Sequence, residues 1–186
     1  MKSFQNRVFG CAIIKSINSN YNADFSGQPR TLPSGRVYAT DKALKYSIRN
    51  YWKNALGEKV FYFKTLDNNM VVQDLLGLYN TCFTADVKKD AKETILKNLL
   101  SIIDVKLFGA TFAPKGAGDN KNISIHGTAQ ITHGINKFYE GNIYTEQIMA
   151  PFASPGKEAE AEAKKGNTTL GTQSKLEEGH YVHHLS

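Results

Sequence analysis

Between Asn18 and Trp52 the chain carries two sets of side chains suited to holding a polyanion. Lys42, Lys45, Arg49 and Lys53 recur at helical spacing, so a helix over this segment lines four cations along one side. Its only acid is Asp41 at the N-terminal end, where the helix dipole favours a carboxylate. Cations left unpaired on a rigid element suit a phosphate backbone, although a merely solvated lysine face has the same spelling. Upstream, Asn18, Asn20, Asn22 and Asp24 alternate through NSNYNADFSG. Their side chains suit either turn chemistry or contacts to a sugar–phosphate chain. Asp24 reads as an Asx-turn residue, the alternative being a base or metal ligand for attack by a 2′-hydroxyl. Arg30 and Arg36 flank the turn residues Pro33 and Gly35; they either extend the positive track or are ordinary surface arginines.

Other chemistries find less support. The histidines are His126, His133, His180, His183 and His184, and no cysteine or carboxylate joins HYVHH at zinc spacing, so no metal site is expected. No nucleophile elbow, phosphate-binding Gly-rich loop or dinucleotide fingerprint occurs, so no catalytic residue and no cofactor is expected. Cys11 and Cys82 lie in apolar segments without a paired-cysteine motif and read as reduced, packed thiols of a cytoplasmic protein.

The elements that must position these groups follow from periodicity. Arg7–Asn18 is apolar on both faces in its middle and reads as a central strand. A loop rich in Gly and Pro follows to Ala39, and Thr40 is the natural cap of a helix running to about Leu56, where Gly57 stops it. On that helix Leu44, Ile48, Tyr51 and Ala55 form the apolar face. Val60–Lys64 reads as a strand, Asp74–Phe83 as a short helix, and Asp90–Ile103 as an amphipathic helix buried through Ala91, Ile95, Leu99 and Ile102. Asp104–Ala113 reads as a strand whose Gly109 marks a bulge or close backbone approach. From Ile123 to Asn136 apolar and polar residues alternate, predicting one long strand with His126 and Gln130 on its polar face. Lys137–Thr172 is broken by Pro151 and Pro155; Ile143–Phe152 is apolar enough to pack on a partner, and Lys157–Lys165 is a solvated helix or disordered tip. The chain ends at Ser186 within an apolar run, which reads as a strand with a further segment missing.

Length and composition suit one domain with a real core: 186 residues, 41% hydrophobic. The net charge of +6 favours an anionic partner without choosing which. MKSFQNRVFGCAII is too short an apolar run for a signal peptide or membrane span, so no membrane partner is expected. The order of elements predicts an α+β fold close to a ferredoxin-like layer, with long insertions between elements.

The blocks N-x-N-x-D, G-x-P-R, G-R and A-T-D-x-x-L-K-x-x-I-R-N-Y-W, followed by DVKLFGATFA, HGTAQITHGIN and TLGTQ…HYVHH, resemble the repeated backbone subunit of type I CRISPR Cascade complexes. Their details are most similar to the I-B branch. The resemblance implies a modified RNA-recognition-type fold, an antiparallel sheet with helices on one face, with a palm over 1–136 carrying finger insertions, a thumb over 137–172, and a return strand of the palm over 173–186. It implies a non-catalytic subunit that binds crRNA by its phosphates, polymerises as a filament with copies of itself, joins other Cascade subunits, and presents bases to target DNA. Lys45, Arg49 and the Asn20–Asp24 loop match family positions facing the RNA. With them the expected contact set is Asn18, Arg30, Arg36, Lys42, Tyr46, Lys53, His126 and Gln130, and Ile148 or Met149 supplies the apolar wedge of the thumb. Two alternatives remain: a metal-dependent ribonuclease like related type III subunits that use a loop aspartate, and a stand-alone single-stranded RNA-binding protein.

Overall fold

The computed structural model of the chain describes residues 5–138, 141–153 and 168–186. These fall into two compact units, one within Met1–Phe9, Asp41–Ile131 and Leu185–Ser186, the other within Gly10–Thr40 and Thr132–His184. The expected solvated tip at Lys157–Lys165 lies outside the described residues.

The first unit begins with helix α1 (Asp41–Ala55) and continues through α2 (Leu75–Phe83), α3 (Lys92–Leu100) and α4 (Ile103–Phe108) into strands β3 (Gly109–Phe112) and β4 (Ile123–His126). Gly57 stops α1 as its sequence predicts. It adopts a positive φ of 68°, and the Glu58 N–H returns to the Trp52 carbonyl. Asp74 caps α2 by accepting from the Gly77 N–H at 2.8 Å. In α3, Ile95 and Leu99 are buried as expected and Ile102 just beyond it is too, but Ala91 is the exposed residue before the helix. These side chains join Phe61, Tyr79, Val87, Val105, Phe112 and Ile123 in one core.

Two expected strands of this unit are replaced. Among the described residues Val60–Lys64 pairs with no strand, and the Phe61 and Tyr62 N–H groups donate to the Asp104 carboxylate instead. Asp104–Phe108 is helical, and the strand begins only at Gly109. There the expected close approach is real: a β-carbon on Gly109 would lie 2.4 Å from the Ile125 carbonyl oxygen, and its φ is 77°.

The second unit is a five-stranded sheet. Strands β1 (Gly10–Ser19), β7 (Thr168–Leu185), β5 (Gly134–Asn136) and β2 (Tyr38–Ala39) lie in the order β1-β7-β5-β2, and β6 (Ile143–Ala153) also pairs with β7. The β2–β5, β5–β7 and β6–β7 pairings are antiparallel. Val37, Ala39, Leu176 and Tyr181 form its small core, with Ile14 and Tyr21 packed against them. The expected central strand is therefore at an end of the sheet path. Ser16 of β1 is buried and Ala12 and Ile14 are half-buried, whereas Cys11, Ile13 and Ile17 are exposed, so Cys11 is not a core thiol.

The long alternating strand predicted over Ile123–Asn136 is two strands in two different units. The alternation changes phase between them: Ile123 is buried in β4, but in β5 the buried positions are Gly134 and Asn136. Asn136 moves inward because its Oδ1 accepts from the His180 N–H at 2.8 Å, which satisfies a polar group in the core.

Candidate nucleic-acid interface

Helix α1 turns Leu44 and Ile48 inward together with Trp52, which stacks on Phe108 at 5.6 Å. Tyr51, expected on the apolar face, is 59% exposed, and Ala55 is exposed as well. The inward stripe thus runs along the four-residue row from Leu44, and the cations beside it come partly under cover.

The expectation of four unpaired cations needs correction. Arg49 Nε donates to Asp104 Oδ2 at 2.9 Å, with the Arg49 side chain only 14% exposed and that of Asp104 fully buried. The guanidinium carbon lies 5.0 Å from the centre of the Phe108 ring and 6.0 Å from that of Tyr62. Lys45 Nζ pairs with Asp41 one turn earlier at 2.9 Å. A carboxylate as deeply buried as that of Asp104 demands partners, and it takes Arg49 along with the Phe61 and Tyr62 N–H groups. Burial first, then the Asp104 charge, push the Tyr62 phenol up to about 12, against the opposing pull of Arg49.

Among the described residues neither Lys42 nor Lys53 has a carboxylate within ion-pair distance. Lys42 is exposed, and the Lys53 ammonium sits 4.5 Å from the centre of the Phe63 ring. Tyr46 stacks on the same Phe63 at 5.5 Å and nearly parallel, yet stays exposed. This part of α1 therefore presents two cations and an aromatic face.

In the second unit the Asn-rich loop is held by its own side chains. Asn22 Oδ1 accepts from both the N–H and the hydroxyl of Thr40, at 2.9 and 3.0 Å. Asp24 Oδ1 accepts from the Ser26 N–H (2.8 Å), the Ser26 hydroxyl (2.7 Å) and the Gln28 N–H (3.0 Å). The Ser26 hydroxyl is the main reason its carboxyl lies below the ordinary 3.8. This is turn chemistry, the first of the two readings open in the sequence. Asn20 Nδ2 donates to the Gly27 and Ser174 carbonyls, while its Oδ1 is buried without a partner among the described residues. Asn18, at φ 46°, accepts from the Tyr144 hydroxyl at 3.3 Å. Arg30 Nε donates to the Ala23 carbonyl, and Arg36 is half-buried.

The remaining expected residues are scattered. His126 and Gln130 are exposed in the first unit, with Gln130 Nε2 donating to the Gly127 carbonyl. Ile148 and Met149 both lie exposed on β6, Met149 the more so, with Ile148 alongside Gly171 of β7. The histidines of HYVHH do not gather: His183 is fully buried between the Thr132 carbonyl and the Tyr21 hydroxyl, and His180 stands edge-on to Phe138. Among the described residues no three His, Cys, Asp or Glu come together as a metal-holding group.

Residues 6–186 match the family model described as CRISPR-associated protein Cas7. The chain belongs to the Cas7 family. Its fold is similar to that of a chain from a structure titled "CRISPR RNA-guided surveillance complex, pre-nicking", with a TM-score of 0.50, 11% identity, and coverage of 95% of this chain and 63% of that one. A chain from a second "CRISPR RNA-guided surveillance complex" aligns at a TM-score of 0.42 and 17% identity, covering 95% of this chain and 49% of that one. The chain thus spans less than two thirds of the length of either. No curated protein matches it.

Sequence reasoning missed two residues, the buried Arg49 partner Asp104 and Phe25, whose ring is fully exposed in the Asn-rich loop. Asp104 carried a usable signal, a lone acid inside the apolar run SIIDVKLF. Phe25 carried none: one aromatic in a polar loop is silent until the loop has a shape.

Proposed function

We propose that this Cas7-family chain is a non-catalytic backbone subunit that grips a guide RNA by its phosphates within a type I interference complex of the I-B branch. The observation that carries the reading is the family match over residues 6–186. The geometry supports it from each unit separately. On α1, Lys42 and Lys53 with Tyr46 form the phosphate-holding set, while Lys45 is paired with Asp41 and Arg49 braces the helix through Asp104. In the other unit the clamped Asn18–Arg36 loop carries the arginines Arg30 and Arg36. The β6–β7 hairpin serves as the thumb, and Met149 is its apolar wedge. Copies of the chain follow one another along the guide with other Cascade subunits at its ends, in the cytoplasm, and the exposed base edges pair with target DNA. The commitment of Asp24 to its own turn supports a structural role for this loop over a nucleolytic one.

The test is filter binding to two single-stranded RNAs of equal length and unrelated sequence across a salt series. Equal affinities with a steep salt slope are expected, since phosphate contacts release counterions and carry no sequence information. A clear preference for one sequence, or affinity insensitive to salt, would overturn the reading.

A further inference from the structure

We infer that Phe25 is a base-stacking residue, held by a rigid turn to receive the face of a nucleobase whose phosphate is met by Arg30. The inference rests on the guide-RNA reading and adds to it a contact that is not electrostatic.

Phe25 stands at the tip of a small hairpin. Ala23 and Pro29 bridge its base, the Asp24 N–H donates to the Gln28 carbonyl at 2.8 Å, and Gly27 closes the turn at φ 83°. The three donors on Asp24 Oδ1 and the Asn20 Nδ2 bond to the Gly27 carbonyl lock the same residues from the side-chain level. So many hydrogen bonds for so few residues fix the backbone, yet the Phe25 ring they display is 105% exposed. A large aromatic kept wholly in water on a stiff support is a preorganised contact, with its ordering entropy already lost.

The neighbour of the ring narrows the ligand. Arg30 is tethered through Nε to the Ala23 carbonyl, and its guanidinium carbon lies 6.0 Å from the Phe25 ring centre. Asp24 stays ionised beside Arg30, and its Oδ1 is held in the turn by three donors. An aromatic face beside a cation matches a ligand with both a π-face and an anion, which a nucleotide has and an apolar protein pocket lacks. Stacking also accepts every base, as a subunit that does not read sequence requires.

The test compares wild type, Phe25→Ala and Phe25→Trp on a single-stranded RNA and on a strand of the same length made of abasic ribose phosphates. Phe25→Ala should weaken binding to the base-bearing strand by about tenfold, within the range of one lost stack, and leave the salt slope unchanged. It should leave abasic binding unaltered, and Phe25→Trp should restore affinity. Full exposure of the ring means that the melting temperature should not move, and circular dichroism checks this. Unchanged affinity of Phe25→Ala in a protein that otherwise binds tightly would overturn the inference alone. So would an equal loss on both strands, or a loss of self-association at constant RNA affinity. If wild type binds neither strand, the guide-RNA reading itself fails.

Discussion

Removing the Asp104 carboxylate should cost more than any surface change on α1. Its two oxygens accept from the Phe61 N–H, the Tyr62 N–H and Arg49 Nε, and its side chain has no exposed surface. Breaking a buried ion pair from one side costs roughly 3–5 kcal/mol, and the slight exposure of Arg49 places this pair near the lower end. An orphaned N–H at fully buried Phe61 adds about 1–3 kcal/mol, since water cannot reach it. These terms overlap, so Asp104→Ala should lose about 4 kcal/mol, a large share of the roughly 5–15 available to a domain. Asp104→Asn keeps the shape but turns an amide NH₂ toward one of the donors, and should lose about 2 kcal/mol. Trp52, the only tryptophan, stacks on Phe108 in the same unit and reports urea unfolding by fluorescence. Arg49→Met should destabilise as well, and its combination with Asp104→Asn should cost less than the two changes added, because both sever one interaction. A loss under about 1 kcal/mol for Asp104→Ala would refute the reasoning, given the buried-pair range quoted. Arg49→Glu abolishing RNA binding at undiminished stability would show that Arg49 is a phosphate ligand and not a brace.

Three further outcomes are expected. Lys42→Glu with Lys53→Glu should lower RNA affinity and flatten the salt slope by about two units, one per phosphate contact, with little change in the urea midpoint. Gly109→Ala should cost about 3 kcal/mol or more, because the added carbon meets the Ile125 carbonyl at 2.4 Å and φ is 77°; a normal melt would contradict it. For Asp24 the folded carboxyl lies below the ordinary 3.8, so the stabilisation from its turn is complete above that value and is lost as pH falls through the depressed one. Protection of the Ser26 and Gln28 amides, measured as exchange relative to the intrinsic rate at each pH, should therefore persist at neutral pH and fall only in stronger acid, and Asp24→Asn should remove that transition.

What was legible in the sequence followed local rules. The α1 stop at Gly57, the short helix ending at Phe83 and the Ile95–Leu99 core stripe need only neighbours a turn away, and all three are found. What misled depended on distant partners. VFYFK has the composition of a strand, but the Asp104 carboxylate takes its N–H groups, and no local pattern announces that. The alternation over Ile123–Asn136 is genuine at both ends, yet one residue of slip between β4 and β5 exchanges the faces, and only the pairing of each strand fixes its register. The basic stripe shows the same limit at Arg49, whose spacing is plain but whose partner Asp104 lies far along the chain; the Asp41–Lys45 pair, one turn apart, is a local pair that the spacing could have given.

A Cas7-family chain that holds a guide RNA by its backbone should carry that RNA with it through purification. The most direct measurement is to purify the tagged full chain from cells transcribing a CRISPR array and to extract and size the nucleic acid that accompanies it. The account predicts RNA of one discrete length, derived from the array and protected by several copies of the chain. Recovery of nucleic acid-free protein, or of RNA heterogeneous in length and origin, would contradict it.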